Sequence, residues 1–108
     1  MTKTFTLNEN ADVCGTSLKL RTTVSYPKLL ELFGEPLESD GYKVSGEWIF
    51  EDDKGNVITL YDWKSTKLYD PDYPSISELR ADTDVELHIG GNDIAIASTF
   101  NTWLQKQL

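Results

Sequence analysis

Tyr42-Lys43-Val44-Ser45-Gly46-Glu47-Trp48-Ile49-Phe50-Glu51, then Asp52-Asp53-Lys54-Gly55-Asn56, then Val57-Ile58-Thr59-Leu60-Tyr61-Asp62-Trp63-Lys64 is the stretch that decides the fold. Tyr42, Val44, Gly46, Trp48 and Phe50 alternate with Lys43, Ser45, Glu47 and Glu51, with Ile49 as the exception. A period of two is the signature of a strand with unlike faces. Asp52 to Asn56 is turn chemistry, and Gly55 tolerates the positive φ that a short hairpin loop requires. The returning segment carries Val57, Thr59, Tyr61 and Trp63 on one face and Ile58, Leu60, Asp62 and Lys64 on the other. Bulky apolar residues on both faces predict a central strand.

Outward from this hairpin, Ser17 to Val24 alternates again, placing Leu18, Leu20, Thr22 and Val24 opposite Lys19, Arg21 and Thr23. Ser25 ahead of Tyr26-Pro27 is a helix-start signature, and Gly34 with Pro36 is a stop signature. Leu29, Leu30, Leu32 and Phe33 give that two-turn helix its apolar stripe, so it must dock on the sheet to persist. Thr4 to Leu7 reads as a short strand or arm. Asp84 to Ile89 reads as another short strand, broken by Gly90-Gly91. Asn92 then caps a last helix, with Asp93 suited to its dipole and Ile96, Phe100, Trp103 and Leu104 as its buried stripe. The order β-α-β-β-β-α predicts an α+β domain. It would have a mainly antiparallel sheet of three to five strands, with two helices on one face. Residues 1–108 form a single domain on this reading, and residues 65–83 form a long acidic surface loop.

Composition narrows the chemistry. The chain has 108 residues, a formal charge of −8, one cysteine and one histidine. Cys14 lacks a partner for an internal disulfide, and with His88 alone it makes no zinc site. No apolar run approaches the roughly 20 residues of a membrane span, and the N-terminus lacks a signal-peptide pattern. A chain at −8 is expected to avoid direct nucleic-acid binding, and its single cysteine fits a reducing cytoplasm. There is no phosphate-binding glycine loop motif and no metal-ligand cluster. Non-catalytic action without a cofactor is the expectation.

Three local features carry alternatives. Tyr61-Asp62-Trp63-Lys64 reads either as a polar, aromatic-flanked binding tip or as a structural carboxylate ending a strand above core aromatics. His88-Ile89-Gly90-Gly91-Asn92 reads either as unblocked N–H groups at a helix start, suited to phosphate, or as a plain chain reversal. The third feature is acidity, since thirteen of the 18 carboxylates lie in residues 35–53 and 70–86. Asp52, Asp53, Asp70 and Asp72 then read either as a surface imitating phosphates for a basic groove or as a solvated face.

Gly15-Thr16-Ser17-Leu18, Phe33-Gly34-Glu35-Pro36, Asp40-Gly41-Tyr42-Lys43, Glu47-Trp48, Tyr61-Asp62-Trp63-Lys64 and His88-Ile89-Gly90-Gly91 follow one another along the chain. In that combination the chain resembles a set of small uncharacterised bacteriophage proteins, over about residues 14–108. It departs from them in its longer acidic loop before Asp84 and in Val85-Glu86-Leu87 ahead of His88. The resemblance implies a phage accessory protein acting by binding in the host cytoplasm. Such a protein would counter a host defence by sequestering a nucleotide-like signal, or would inhibit a basic host protein that handles nucleic acid. For the first, Tyr61 or Trp63 would stack on a base, and Asp62 would accept from ribose or a base edge. Lys64, His88, Gly90 and Gly91 would hold phosphate. Binders of this type often build the pocket between subunits, which leaves a homo-oligomer open.

Overall fold

The computed structural model describes residues 4–8, 10–11, 13, 15–37, 46–62 and 70–108. Cys14, residues 38–45 with the first part of the expected hairpin, and Trp63 and Lys64 lie outside the described residues. The elements run β1 (Phe5–Leu7), β2 (Ser17–Val24), α1 (Tyr26–Phe33), β3 (Glu47–Asp52), β4 (Val57–Tyr61), α2 (Ile76–Arg80), β5 (Val85–Gly91) and α3 (Ile94–Gln107). The fold is α+β, as its sequence periodicities predict, and the described residues form five strands and three helices.

The strands form one antiparallel sheet in the order β1-β3-β4-β5-β2, with β4 at its centre. Ile58 and Leu60 from β4 are fully buried beside Trp48 and Phe50 from β3, Leu87 and Ile89 from β5, and Val24 from β2. The helices bring Tyr26 and Leu29, Leu79, and Ala97, Phe100 and Leu104 into the same cluster. Phe100 meets Phe5 edge-on at 5.1 Å and Phe50 at 4.9 Å, which ties α3 to both β1 and β3. Such ring pairs add about 0.5–1.5 kcal/mol beyond the area they bury. Polar contacts fix the register of α3 on the sheet: Thr22 Oγ1 donates to Asn101 Oδ1 at 2.8 Å, and Gln105 Nε2 donates to Thr22 Oγ1 at 2.8 Å.

Helix starts follow local chemistry. Ser25 accepts the Lys28 N–H ahead of α1. Gly34 ends α1 at φ 78°, a left-handed conformation that favours glycine. Before α3, Asp93 is the capping residue, not Asn92; its Oδ1 accepts the Ala95 N–H at 2.7 Å. A carboxylate at that position both accepts the N–H and complements the helix dipole, which an amide does only in part.

The stretch read as an acidic loop requires a correction. Within residues 70–83, Ser75 and Glu78 form a reciprocal capping box that starts α2, and Leu79 enters the core. Arg80 Nη1 pairs with Glu35 Oε2 at 2.7 Å, joining α2 to the segment after α1. The Ser-x-x-Glu spacing is itself a helix-start signal, overshadowed in the sequence by the surrounding Pro71, Pro74 and aspartates.

Candidate functional site

The helices cover one sheet face, and alternation sends the remaining side chains to the other. Trp48, Ile58, Leu60, Leu87 and Ile89 face the helices, so Glu47, Thr59, Tyr61, His88 and Gly90 face away from them. Register aligns Glu47 with Tyr61, Tyr61 with His88, and His88 with Arg21. A carboxylate, a phenol, an imidazole and a guanidinium therefore form one row across β3, β4, β5 and β2.

Beside that row lies a cleft of about 200 Å³, lined by Val13, Thr16, Ser17, Glu47, Thr59, Tyr61 and Gly90. Val13 and Thr16 come from the connection between β1 and β2, so the cleft lies between that connection and the sheet. Its lining is an aromatic ring, three hydroxyl residues, one carboxylate, one valine and one glycine. Arg21 and His88 flank the cleft and do not line it.

The row runs from half-buried Glu47 and Tyr61 through buried His88 to exposed Arg21. Arg21 Nε donates to His88 Nε2 at 3.4 Å, and Arg21 also lies 3.9 Å from the exposed Glu86 carboxylate. Burial lowers the His88 pKa from 6.5; the Arg21 charge lowers it further, and Glu86 opposes both. Tyr61 packs edge-on to His88 at 5.6 Å. Its pKa rises from 10.0, first by burial and then by the Glu47 charge, so the phenol stays a neutral donor.

Gly90 and Gly91 require a second correction. They do not form a turn with free N–H groups ahead of a helix. They are the last two residues of β5, paired with Leu18 and Ser17 on one side and with Thr59 and Ile58 on the other. Their N–H groups belong to the sheet, and Asp93 occupies the start of α3 with negative charge, which repels an anion there. Glycine is required for a steric reason. A Cβ at Gly90 would sit 2.5 Å from Thr59 Oγ1 and 3.4 Å from Tyr61 Cε1, so a bare backbone forms the floor under those two side chains.

Asp62, also expected at the binding tip, is 1% exposed, and its Oδ1 accepts the Gly46 N–H at 3.1 Å. It faces the core side of the sheet, close enough to Tyr26 to raise that phenol's pKa. The structure thus brings Tyr61, His88 and Gly90 together on one face and places Asp62 on the other. Gly91 meets Ile58 and the Val57 carbonyl and lies outside the cleft lining.

The acidic alternative loses one member. Asp52 is buried, with Oδ1 accepting the N–H groups of Lys54 and Asn56 and Oδ2 accepting from Asn56 Nδ2 at 2.8 Å. It is the organising residue of the hairpin turn. Asp53 and Asp72 are exposed, and Asp70 is half-buried and accepts the Asp72 N–H at 2.9 Å in a separate turn. Thr59 and Arg21 are site residues that no sequence motif singles out, and Glu47 stands in the Glu47-Trp48 pair without a role read from it, because only cross-strand register places these residues in one row with Tyr61.

Among the described residues, no cluster of three or more His, Cys, Asp or Glu side chains is arranged to hold a metal ion. Among the same residues, no helix is long and apolar enough to cross a membrane. Comparison of the chain with protein-family models and with curated proteins finds no match.

Proposed function

We propose that this protein acts by binding, as a phage-type accessory protein of the host cytoplasm that takes up a small nucleotide-like signal and so blunts a host defence. The observation that carries this reading is the cleft beside the Glu47–Tyr61–His88–Arg21 row. Tyr61 offers a ring for a base to stack on, the hydroxyls of Thr16, Ser17 and Thr59 offer hydrogen bonds, and Arg21 supplies a cation for phosphate. Phosphate recognition, read from the sequence onto Lys64, His88 and the Gly90-Gly91 backbone, is assigned in this proposal to the side chain of Arg21. The excess of negative charge disfavours long nucleic acids without barring one locally held phosphate.

Calorimetry with a panel of 5′-mononucleotides, cyclic mononucleotides and cyclic dinucleotides tests the proposal. The expected result is saturable heat with at least one class, reduced at least tenfold in affinity by Tyr61→Ala and by Arg21→Ala in variants that remain folded by circular dichroism. Absence of heat across the panel overturns it. Salt-sensitive capture of a basic protein through Asp53, Asp70 and Asp72, with no nucleotide heat, would replace it by the inhibitor reading.

A further inference from the structure

We infer that the Thr59 hydroxyl anchors the ligand, which enters with its uncharged base toward Thr59 and leaves its phosphate outside toward Arg21; this rests on the nucleotide-binding reading above. Thr59 stands on the central strand β4, between Ile49 of β3 and Gly90 of β5, and is 5% exposed. Among the described residues, none hydrogen-bonds to its Oγ1. The other polar side chains of the lining are engaged. Thr16 Oγ1 donates to the Val13 carbonyl at 2.7 Å, and Ser17 Oγ accepts from Lys19 Nζ at 2.9 Å. Glu47 and Tyr61 each interact with other parts of the chain. A buried hydroxyl without a partner is rare in folded proteins, because nothing offsets its desolvation. Valine has nearly the same shape, suits a strand at least as well and would avoid that cost. Threonine at this position therefore serves something other than the stability of the free chain.

Gly90 opens the space in front of that hydroxyl. The Cβ that Gly90 lacks would sit 2.5 Å from Thr59 Oγ1 and 3.4 Å from Tyr61 Cε1, so hydroxyl and aromatic ring border one gap over bare backbone. A flat ring laid against Tyr61 in that gap brings an edge to Thr59. The cleft volume of about 200 Å³ falls below the range of about 300–1,000 Å³ typical of sites that enclose drug-sized ligands, which suits a base and not a whole nucleotide. Charge sets the direction of entry. Among the described residues the lining contains no lysine or arginine, so a phosphate at the depth of Thr59 would be buried without a counter-charge. Arg21 lies outside the lining with its side chain 62% exposed. It commits Nε to His88 and Glu86, which leaves its Nη donors for an anion. A hydroxyl both donates and accepts, so Thr59 responds to a polar base edge without choosing one base.

Calorimetry on the full chain with AMP, GMP, CMP and UMP, their nucleosides, and ribose 5-phosphate tests this. Thr59→Val is expected to weaken the nucleotide that binds and its nucleoside by the same factor, at least fivefold. Its melting temperature without ligand is expected to equal the native value or exceed it. Thr59→Ser restores the hydroxyl and is expected to recover affinity to within threefold of native, at a lower melting temperature because a buried methyl is lost. Arg21→Ala is expected to weaken the nucleotide more than its nucleoside. A loss below fivefold in Thr59→Val overturns the anchor and leaves nucleotide binding standing. So does a Thr59→Val chain that melts several degrees lower or fails to fold, since the hydroxyl would then be bonded within the protein. Heat from ribose 5-phosphate with none from the nucleoside reverses the direction of entry and overturns the inference. Absence of heat from all four mononucleotides, with heat from cyclic ones, overturns it as well. Silence from every nucleotide overturns it together with the reading on which it rests.

Discussion

Arg21 of β2 donates its Nε–H to Nε2 of His88 on the neighbouring strand β5, at 3.4 Å. The acceptor must be an unprotonated ring nitrogen, so the proton of neutral His88 sits on Nδ1. The folded pKa is depressed below 6.5, chiefly by burial, so the folded state disfavours the imidazolium. Stability from this group is complete above pH 6.5 and is lost as pH falls from there through the folded pKa. Thermal melts between pH 7.5 and pH 5 are expected to show a falling midpoint, and His88→Gln is expected to flatten that slope. An identical slope in the variant would refute the assignment.

Tyr26 gives the opposite, alkaline dependence. Its pKa is raised from 10.0 to about 12, mainly by burial and then by the Asp62 charge. Arg80 opposes the rise through its charge and a hydrogen bond, and Glu35 adds to it. The stabilising contribution of the neutral phenol is present below pH 10 and is lost as pH rises toward 12, by about 2–3 kcal/mol in all. Urea unfolding at pH 8 and pH 11 should show about half of this loss, about 1.4 kcal/mol, in the native chain and a smaller one in Tyr26→Phe.

Asp62 and Gly46 separate a structural carboxylate from a binding one. Removing the acceptor leaves the Gly46 N–H buried and unpaired, which costs about 1–3 kcal/mol. Asp62→Ala is expected to lower unfolding stability by that amount, and Asp62→Asn, which keeps an oxygen, by less. A loss of nucleotide binding at full stability would instead place Asp62 in the binding site.

Gly90→Ala tests the floor of the cleft. The added Cβ would lie 2.5 Å from Thr59 Oγ1, on a short β-branched side chain with little freedom to yield. Destabilisation of about 1–3 kcal/mol is expected, as for other overpacked sites, together with loss of whatever ligand the cleft takes. Gly91→Ala meets the tip of Ile58 at 3.0 Å and should be milder. Equal stability of the two variants in urea unfolding would contradict this packing.

Elements whose signals lie within a few residues were readable from the chain itself. The alternation of residues 47–51 and 57–61 dictates strands with those faces, and apolar residues on both sides of residues 57–61 place them centrally. Ser25, Gly34 and the stripe Ile96, Phe100, Leu104 determine helix ends and helix faces, because capping and the 3.6-residue period are properties of local backbone geometry. Tertiary structure decided the rest. Gly90-Gly91 looks like a turn until Thr59 and Ser17 are seen occupying the space a side chain would need, and those partners are about 30 and 70 residues away in sequence. Asp62 follows a strand that is apolar on both faces, so only its hydrogen bond to Gly46 shows that it turns inward. The row from Glu47 to Arg21 joins four strands through register alone. Alternation fixes which residues share a face within one strand, but pairing between distant strands fixes which side chains meet, and pairing depends on how the whole sheet buries its apolar side.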